Sequence, residues 1–216
     1  MHVTLVSPYP DITNYGLRTL SAVLKQAGHQ VRFICMPDFA GDGEFTHVRM
    51  SEERYPPKIM EQFVELTKDT DLLGVTLMTH YFDTAKQLTK AARDANGTPS
   101  VWGGFHPSVR PDECAKHAEY VAIGDAEDLI LKLCERLQNG QEHDLGDIKG
   151  LVWRKGDKVV RNVSGSLEQD LDQYPFPDFS LDDHHILFEG EILPLTSDLL
   201  RRYLHNGTVS RMFGKI

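Results

Sequence analysis

The stretch from residue 2 to residue 36, HVTLVSPYPDITNYGLRTLSAVLKQAGHQVRFICM, decides the fold. It opens with an apolar run typical of a β-strand, His2–Ser7, and it ends with a second such run, Gln30–Met36. Between them, Gly16–Gly28 has the spacing of an amphipathic helix, whose apolar face is formed by Leu17, Leu20, Val23 and Leu24. A strand, a helix and a second strand in this order predict a βαβ unit with parallel strands.

The same alternation of apolar runs and amphipathic stretches continues to about residue 140. Three further strands are predicted, at Asp71–Thr79, Pro99–Gly103 and Tyr120–Gly124. Four further helices are predicted, at Pro57–Thr70, Phe82–Ala95, Pro111–Ala118 and Ala126–Asn139. We therefore expect an α/β, flavodoxin-like (Rossmann-like) domain over residues 1–140. Its sheet should be doubly wound, five-stranded and parallel, with a ligand crevice at the carboxyl ends of the strands.

The pattern changes after residue 140. Gly150–Asn162 predicts a β-hairpin that turns at Lys155-Gly156-Asp157, and Leu171–Phe179 is an extended run broken by prolines. We expect residues 141–180 to form this hairpin and a proline-rich extension, both packed on the first domain. Residues 181–216 contain one helical patch, Asp198–His205, and are expected to be a linker toward a further domain.

Composition and charge exclude several partners. The 216 residues carry 23 Lys and Arg against 32 Asp and Glu, and the resulting net charge of −9 would repel nucleic acid. No run approaches the ~18 consecutive apolar residues of a membrane span. The N-terminus lacks the basic region of a signal peptide. We therefore expect a cytoplasmic protein with neither a nucleic acid nor a membrane as its partner.

The cysteines do not form a motif. Cys35, Cys114 and Cys134 are far apart and lie in apolar or helical patterns. We expect them to be reduced thiols in the core, because free cysteine is among the most buried residue types. Three such separated thiols should not assemble an iron–sulfur cluster on this chain.

Candidate ligand-binding residues lie around the ends of the predicted strands, where doubly wound folds bind their ligands. The pair Gly103-Gly104 is the most informative, because residues without a Cβ let a flat ligand lie against the backbone. A tight turn would explain the pair equally well. The candidate binding residues are Ser7, Thr13, Asn14, Tyr15, Gly16, Thr76, Met78, Thr79, His80, Gly103, Gly104, Phe105, His106, Gly124, Asp125 and Glu127.

Simpler explanations stay open for several of these residues. Ordinary strand propensity accounts for Thr76 and Thr79 about as well as a ligand does. Asp125 and Glu127 complement the dipole of the helix that begins beside them, so they need not take part in catalysis.

The histidines do not predict a metal site. His80 and His106 lie on different loops, and no His or Cys spacing typical of a metal centre occurs in the sequence. The remaining candidates lie in the C-terminal region and are expected to be exposed to solvent: His184, His185 and His205.

Several other functions of doubly wound folds lack their motifs. The first predicted strand is not followed by GxGxxG, and the sequence contains neither GxxxxGK[ST] nor GxSxG. A phospho-receiver domain would carry an aspartate at the end of strand three, where this chain has Met78-Thr79-His80. Dinucleotide binding, P-loop chemistry, phosphorelay and serine hydrolysis are therefore disfavoured.

Five segments together carry a family resemblance. They are GLRTLSAVLKQAGHQV (16–31), VWGGFHPSVRPDE (101–113), YVAIGDAED (120–128), IKGLVWRKGDKVV (148–160) and LDQYPFPD (171–178). In order and spacing they resemble the cobalamin-binding domain that precedes the catalytic barrel of cobalamin-dependent radical S-adenosylmethionine enzymes. The resemblance extends over about residues 1–180.

The resemblance implies where cobalamin would bind. Gly103-Gly104 matches the GG signature of cobalamin modules, Thr76-Leu77-Met78 takes the place of SxL, and Asp11–Gly16 takes the place of DxHxxG with Thr13 where the histidine would be. It therefore implies base-off cobalamin, without a protein histidine on cobalt and with the dimethylbenzimidazole tail along strand three and the GG loop. His80 and His106 are the competing cobalt ligands.

The resemblance also implies a larger enzyme. The partner would be a C-terminal radical domain of the same polypeptide, which would hold S-adenosylmethionine and a 4Fe–4S cluster, and this chain alone would be inactive. The parent would be a methyltransferase or a cyclase. Two alternatives stay open: a stand-alone corrinoid protein that carries methyl groups, and a doubly wound domain that binds another small molecule.

Overall fold

The computed structural model describes residues 1–37, 54–155, 158–165 and 170–206. These ranges contain nine strands in one sheet and seven α-helices. The strands are β1 (His2–Ser7), β2 (Gln30–Cys35), β3 (Leu72–Thr76), β4 (Ser100–Gly103), β5 (Tyr120–Ala122), β6 (Leu151–Lys155), β7 (Lys158–Arg161), β8 (His184–Phe188) and β9 (Glu191–Pro194). The helices are α1 (Tyr15–Gln26), α2 (Pro57–Leu66), α3 (Phe82–Asn96), α4 (Phe105–Val109), α5 (Pro111–Cys114), α6 (Glu127–Gln138) and α7 (Ser197–Asn206).

The sheet has the strand order β7-β6-β5-β4-β3-β1-β2-β8-β9. Its central strands, β2-β1-β3-β4-β5, are all parallel and have the order of flavodoxin-like folds. The expectation of an α/β fold with a mostly parallel sheet is therefore confirmed. The strand order reverses between β1 and β3, and the carboxyl ends of these strands form the topological switch point of the sheet.

The expected strand count was wrong, because both edges of the central sheet are extended. β6 pairs antiparallel with β5, and β7 pairs antiparallel with β6, so the predicted hairpin strands continue the sheet. Gly156 and Asp157 of the predicted turn lie outside the described residues. On the opposite edge, β8 pairs parallel with β2 and β9 pairs antiparallel with β8.

Within the segment expected to be a linker, residues 184–206 contain β8, β9 and α7, which pack on the sheet. His184 is buried instead of exposed, because β8 pairs with β2 and its imidazole stacks on Phe33 with 5.2 Å between ring centroids. His185 is half-buried, and the side chain of His205 lies outside the described residues.

Some predicted boundaries differ around the GG pair. β3 ends at Thr76, and the three residues Thr79–Tyr81 form a 3₁₀ turn instead of continuing the strand. The short helix α4 directly follows Gly104 and was not predicted.

The two faces of the sheet are buried by different helices. On one face, Leu5, Val101 and Ala122 pack in a core cluster with residues of α1 and α6. On the other face, Trp102 and Val121 pack with residues of α2 and α3. Successive side chains of a strand point to opposite faces, so each central strand contributes to both clusters.

The three cysteines lie in the core, as their apolar surroundings in the sequence indicate. Cys35, Cys114 and Cys134 are free and buried, as predicted, and burial raises the pKa of each thiol to about 12. In the part of the chain that the structure describes, no helix has both the length and the apolar character needed to cross a bilayer.

Buried histidines give the fold a pH dependence. Burial lowers the pKa of His184, and the pKa values of three other histidines are also lowered, those of His29, His117 and His185. The unfolded chain therefore binds more protons than the native protein below about pH 6.5, so acid favours unfolding. We expect the free energy of unfolding, measured in urea, to fall between pH 7.5 and pH 5.5.

Two variants isolate the contribution of His184. His184→Gln should make this pH dependence shallower, and His143→Gln, at a side chain that is 86% exposed, is the surface control for the same substitution. Equal slopes for wild type and His184→Gln would contradict the assignment.

Candidate functional site

A groove opens at the carboxyl edge of the sheet, at the switch point, and runs beneath α1 and α6. Its volume is about 210 Å³. The space exists because β4 and β5 present Gly103 and Ala122 toward these helices, where larger side chains would fill it. Gly74, on β3, instead makes room for Leu5, whose Cδ2 would lie 2.7 Å from a Cβ on that glycine. The lining residues are Leu5, Asn14, Gly16, Leu17, Leu20, Gly74, Val75, Thr76, Val101, Gly103, Gly104, Ala122, Gly124, Asp125, Ala126, Glu127, Leu129 and Ile130.

The two glycines after β4 have different roles. Gly104 has φ +100°, and a Cβ on it would lie 2.9 Å from Thr76 Oγ1 and 3.1 Å from the Leu77 carbonyl oxygen. Gly104 is therefore required by the tight approach of the loop after β3. A Cβ on Gly103 would meet only Ala122 Cβ, at 3.9 Å. Gly103 is the glycine that leaves room for a ligand in the groove.

The loop after β1 is organised by its own polar side chains. Asn14 caps α1 by accepting a hydrogen bond from the Leu17 N–H, at 3.3 Å, and donates through Nδ2 to Ser7 Oγ, at 2.9 Å. The Thr13 hydroxyl donates to Asp11 Oδ1 at 2.5 Å, and Thr13 does not line the groove. From this loop, Asn14 supplies the polar group that faces the groove.

The loop after β3 brings one hydroxyl to the groove and places a histidine behind it. Thr76 lines the groove, and the Tyr9 hydroxyl lies 3.5 Å from Thr76 Oγ1. Burial raises the pKa of Tyr9 to about 12, so its hydroxyl stays protonated at neutral pH. Thr79 Oγ1 lies 3.0 Å from Nδ1 of His106, whose imidazole is buried beneath this loop.

Neither histidine of these loops reaches the groove. Nε2 of His106 lies 3.7 Å from a carboxylate oxygen of Glu113, on α5, and its ring packs edge-on against Phe82 with 5.1 Å between centroids. His80 is exposed and packs against Tyr81. None of the described groove-lining residues is a histidine.

The loop after β5 completes the opening. Gly124, Asp125 and Glu127 line the groove at the start of α6, and burial raises the pKa of the Glu127 carboxyl. Ser108 joins this loop to the GG pair, because its hydroxyl donates to the Gly104 carbonyl, at 2.9 Å, and accepts from the Gly124 N–H, at 3.1 Å.

The structure brings about half of the predicted site residues into one groove. Eight of them line it: Asn14, Gly16, Thr76, Gly103, Gly104, Gly124, Asp125 and Glu127. Ser7 is buried beside Asn14, Thr13 is half-exposed and binds Asp11, and His106 is buried behind the loop after β3. The others are exposed at the same edge of the sheet: Tyr15, Met78, Thr79, His80 and Phe105.

Sequence reasoning missed the deep part of the groove. Leu5, Gly74, Val101 and Ala122 lie inside strands, whereas the prediction considered mainly the strand-end loops. One signal was present: an isolated glycine in the middle of a strand indicates a close approach to its backbone, and Gly74 is such a residue. Tyr9 and Ser108 gave no signal of this kind.

The fold and the groove define a doubly wound ligand-binding domain whose site lies at the switch point of a parallel sheet. A family model described as "B12 binding domain" matches residues 1–133. The chain therefore belongs to the B12-binding domain family, and cobalamin is its ligand class.

Curated relatives include two methyltransferases and a cyclase. The chain is 28% identical over 103 residues to bacteriochlorophyllide d C-8(2)-methyltransferase of Chlorobaculum tepidum. This match covers 48% of this chain and 22% of that protein. It is 26% identical to an uncharacterized methyltransferase of Pyrococcus horikoshii, over 77% of this chain and 33% of the relative. It is 25% identical to the anaerobic magnesium-protoporphyrin IX monomethyl ester cyclase of Synechocystis, over 77% of this chain and 31% of the cyclase. The matched region thus spans a third or less of each relative.

Solved structures share the fold. The radical S-adenosylmethionine methyltransferase TsrM of Kitasatospora setae, with cobalamin and a 4Fe–4S cluster bound, matches with a TM-score of 0.59 and 19% identity, over 82% of this chain and 31% of TsrM. The cobalamin-dependent S-adenosylmethionine radical enzyme OxsB, with aqua-cobalamin and S-adenosylmethionine bound, matches with a TM-score of 0.57 and 19% identity, over 77% of this chain and 22% of OxsB.

Proposed function

We propose that this domain binds cobalamin with the benzimidazole detached from cobalt and its nucleotide tail in the groove beneath α1 and α6. The observation that carries this proposal is the groove floor, where Gly103 and Ala122 leave a largely apolar space beside Leu5 and Val101. A benzimidazole is flat and apolar, so this donor-poor floor suits it. The groove is smaller than the ~300–1,000 Å³ of a pocket that encloses a drug-sized ligand. It therefore suits the tail of cobalamin, with the larger corrin ring at the mouth.

The residues at the mouth suit the polar parts of the same cofactor. Asn14, Thr76 and Glu127 place an amide, a hydroxyl and a carboxyl at the opening, where they can bind the ribose and the corrin amides. Gly103 keeps the backbone accessible between them. No described residue of the groove offers an imidazole, and the Thr13 hydroxyl already binds Asp11. We therefore infer that cobalt receives no nitrogen ligand from this chain.

We further propose that the domain is the cofactor-binding part of a radical S-adenosylmethionine methyltransferase or cyclase. The names of the curated relatives support this role, as does the fold shared with TsrM and OxsB. Cobalamin would supply a redox-active cobalt centre, while S-adenosylmethionine and a 4Fe–4S cluster would belong to a radical domain of the same polypeptide. Tyr15, Met78 and Phe105 give the carboxyl edge an exposed apolar rim on which corrin and that domain could rest.

Electron paramagnetic resonance tests the binding mode. We expect the chain to retain hydroxocobalamin through gel filtration and, after reduction to the Co(II) form, to give a spectrum without superhyperfine splitting from an axial nitrogen. Free cobalamin at neutral pH, which has its benzimidazole on cobalt, is the reference that shows the splitting. Failure to retain the cofactor would reject cobalamin binding itself.

Two variants identify the source of any splitting. His80→Ala and His106→Ala should leave the spectrum unchanged, because the His106 imidazole is buried against Phe82 and Glu113 and the His80 imidazole packs against Tyr81. Splitting that disappears in one of them would make that histidine the cobalt ligand. Splitting that persists in both would place the benzimidazole on cobalt, and in either case the proposed binding mode would be wrong.

A further inference from the structure

The loop after β1, residues 8–14, is held by the C-terminal segment, which we define as residues 170–206. The Tyr203 hydroxyl, on α7, donates to the Pro10 carbonyl oxygen at 2.6 Å. Tyr203 is only 4% exposed, and burial raises its pKa, so the hydroxyl remains a donor at any physiological pH. A residue almost 200 positions away thus fixes the middle of this loop.

Arg18 connects the same loop to the C-terminal segment at a second point. Its Nε and Nη2 donate to the Ile12 carbonyl oxygen, at 3.1 and 2.9 Å, while Nη1 donates to the Asp178 carbonyl oxygen at 2.7 Å. The guanidinium lies between the rings of Phe33 and Phe179, 4.9 and 4.7 Å from their centroids. Since Arg18 is buried, both carbonyls are bound in fixed positions.

Apolar contacts reinforce these two points. Ile12 is buried in the same core cluster as Leu195, Leu199 and Tyr203 of the C-terminal segment. Next to the loop, the ring of Tyr15 packs edge-on against Phe179, with 5.8 Å between centroids. The loop therefore has one side against its own domain and the other against the C-terminal segment.

This arrangement matters for the groove because the loop ends in its wall. Asn14 and Gly16 line the groove, whereas none of the described residues 170–206 does. The B12-binding family model ends at residue 133, well before the C-terminal segment. The segment thus influences the groove indirectly, through the loop that it holds and through its contacts with α1.

We propose that the C-terminal segment is a positioning element of the cobalamin site, with Tyr203 and Arg18 as the positioning residues that hold the loop after β1 in its binding-competent form. This inference rests on the proposed cobalamin binding. The apparent dissociation constant of a ligand rises when the binding-competent state is only fractionally populated. By the reciprocity of linked equilibria, cobalamin should in turn stabilise the C-terminal segment.

The test compares two buried tyrosines whose hydroxyls each donate to a backbone carbonyl oxygen. Tyr203→Phe removes the donor to Pro10, whereas Tyr55→Phe removes a donor to the Met36 carbonyl at the end of β2. The two side chains are 4% and 5% exposed, so both variants should lose similar stability. We expect Tyr203→Phe to weaken hydroxocobalamin binding about three- to tenfold, as for one buried hydrogen bond, and Tyr55→Phe to bind like wild type.

Two results would overturn the proposal. One is unchanged affinity for hydroxocobalamin in Tyr203→Phe; the other is an equal loss of affinity in both variants, which would show that reduced stability alone weakens binding.

Hydrogen exchange of the free protein separates this proposal from the proposed function. The amides of Tyr9 and of residues 11–14 should exchange faster in Tyr203→Phe than in Tyr55→Phe, even if the wild type binds no cobalamin. Equal exchange rates there would reject the positioning role independently of the cofactor.

Discussion

Gly103→Leu is expected to weaken cobalamin binding roughly 100-fold, or about 2.8 kcal/mol, without unfolding the domain. Gly103 lines the groove, and the nearest atom to a Cβ at this position is Ala122 Cβ, at 3.9 Å. Its φ lies outside the left-handed region, so the backbone accepts a larger residue. The leucine side chain would then occupy the space proposed for the benzimidazole. Titration with hydroxocobalamin, followed by visible absorption, measures the loss.

Two controls make this result specific to the groove. Gly146→Leu introduces the same side chain at an exposed site with no atom within 4 Å of a Cβ, and it should bind cobalamin like wild type. Gly104→Leu cannot serve as a binding probe, because φ +100° and the 2.9 Å approach to Thr76 would disturb the backbone itself. Wild-type affinity in a folded Gly103→Leu protein would remove the groove from the cobalamin site.

These two glycines show what the sequence could and could not predict about the site. The pair itself was visible, and so was its position after an apolar strand. The difference between Gly103 and Gly104 was not visible, because it depends on how closely Thr76 and Leu77 approach the turn from the neighbouring strand. The tight turn explains Gly104, and room for a ligand explains Gly103, so each of the two explanations fits one glycine of the pair.

The central sheet was predictable for a general reason. Parallel strands covered on both faces are rich in apolar residues, and the five predicted runs became β1 to β5. β8 had no comparable signal, because it begins with His184-His185 and is held by partners distant in sequence. His184 is buried through its stacking on Phe33 and its position 3.7 Å from Asp178. The contact with Phe33 joins residues about 150 positions apart, and local sequence patterns do not report such a contact.

Asp178 also makes contacts with residues that are distant in sequence. We expect Asp178→Ala to lower the free energy of unfolding by about 2–3 kcal/mol. The carboxylate is only 7% exposed, and it accepts hydrogen bonds from Ser21 Oγ, at 2.7 Å, and from Ser180 Oγ, at 2.7 Å. It also pairs with Lys25 Nζ at 2.7 Å, and His184 and Arg18 lie close by. Since Lys25 is 31% exposed, water can partly replace its lost partner, which keeps the expected effect below that of a fully buried pair.

The pH dependence of this effect follows from the ionisation of Asp178. Burial opposes that ionisation, but the hydrogen bonds from Lys25, Ser180 and Ser21 outweigh it and hold the pKa of the carboxyl well below its usual range. A depressed native pKa stabilises the fold above the usual value of about 3.9, and the stabilisation is lost as the pH falls toward the native pKa. The difference in the free energy of urea unfolding between wild type and Asp178→Ala should therefore narrow from pH 5 to pH 3.

Asp94→Ala, which breaks an exposed ion pair with Lys90, is the control and should change the free energy of unfolding by less than about 0.5 kcal/mol at pH 7. A loss in Asp178→Ala no larger than in this control would show that Asp178 does not anchor the C-terminal segment to α1.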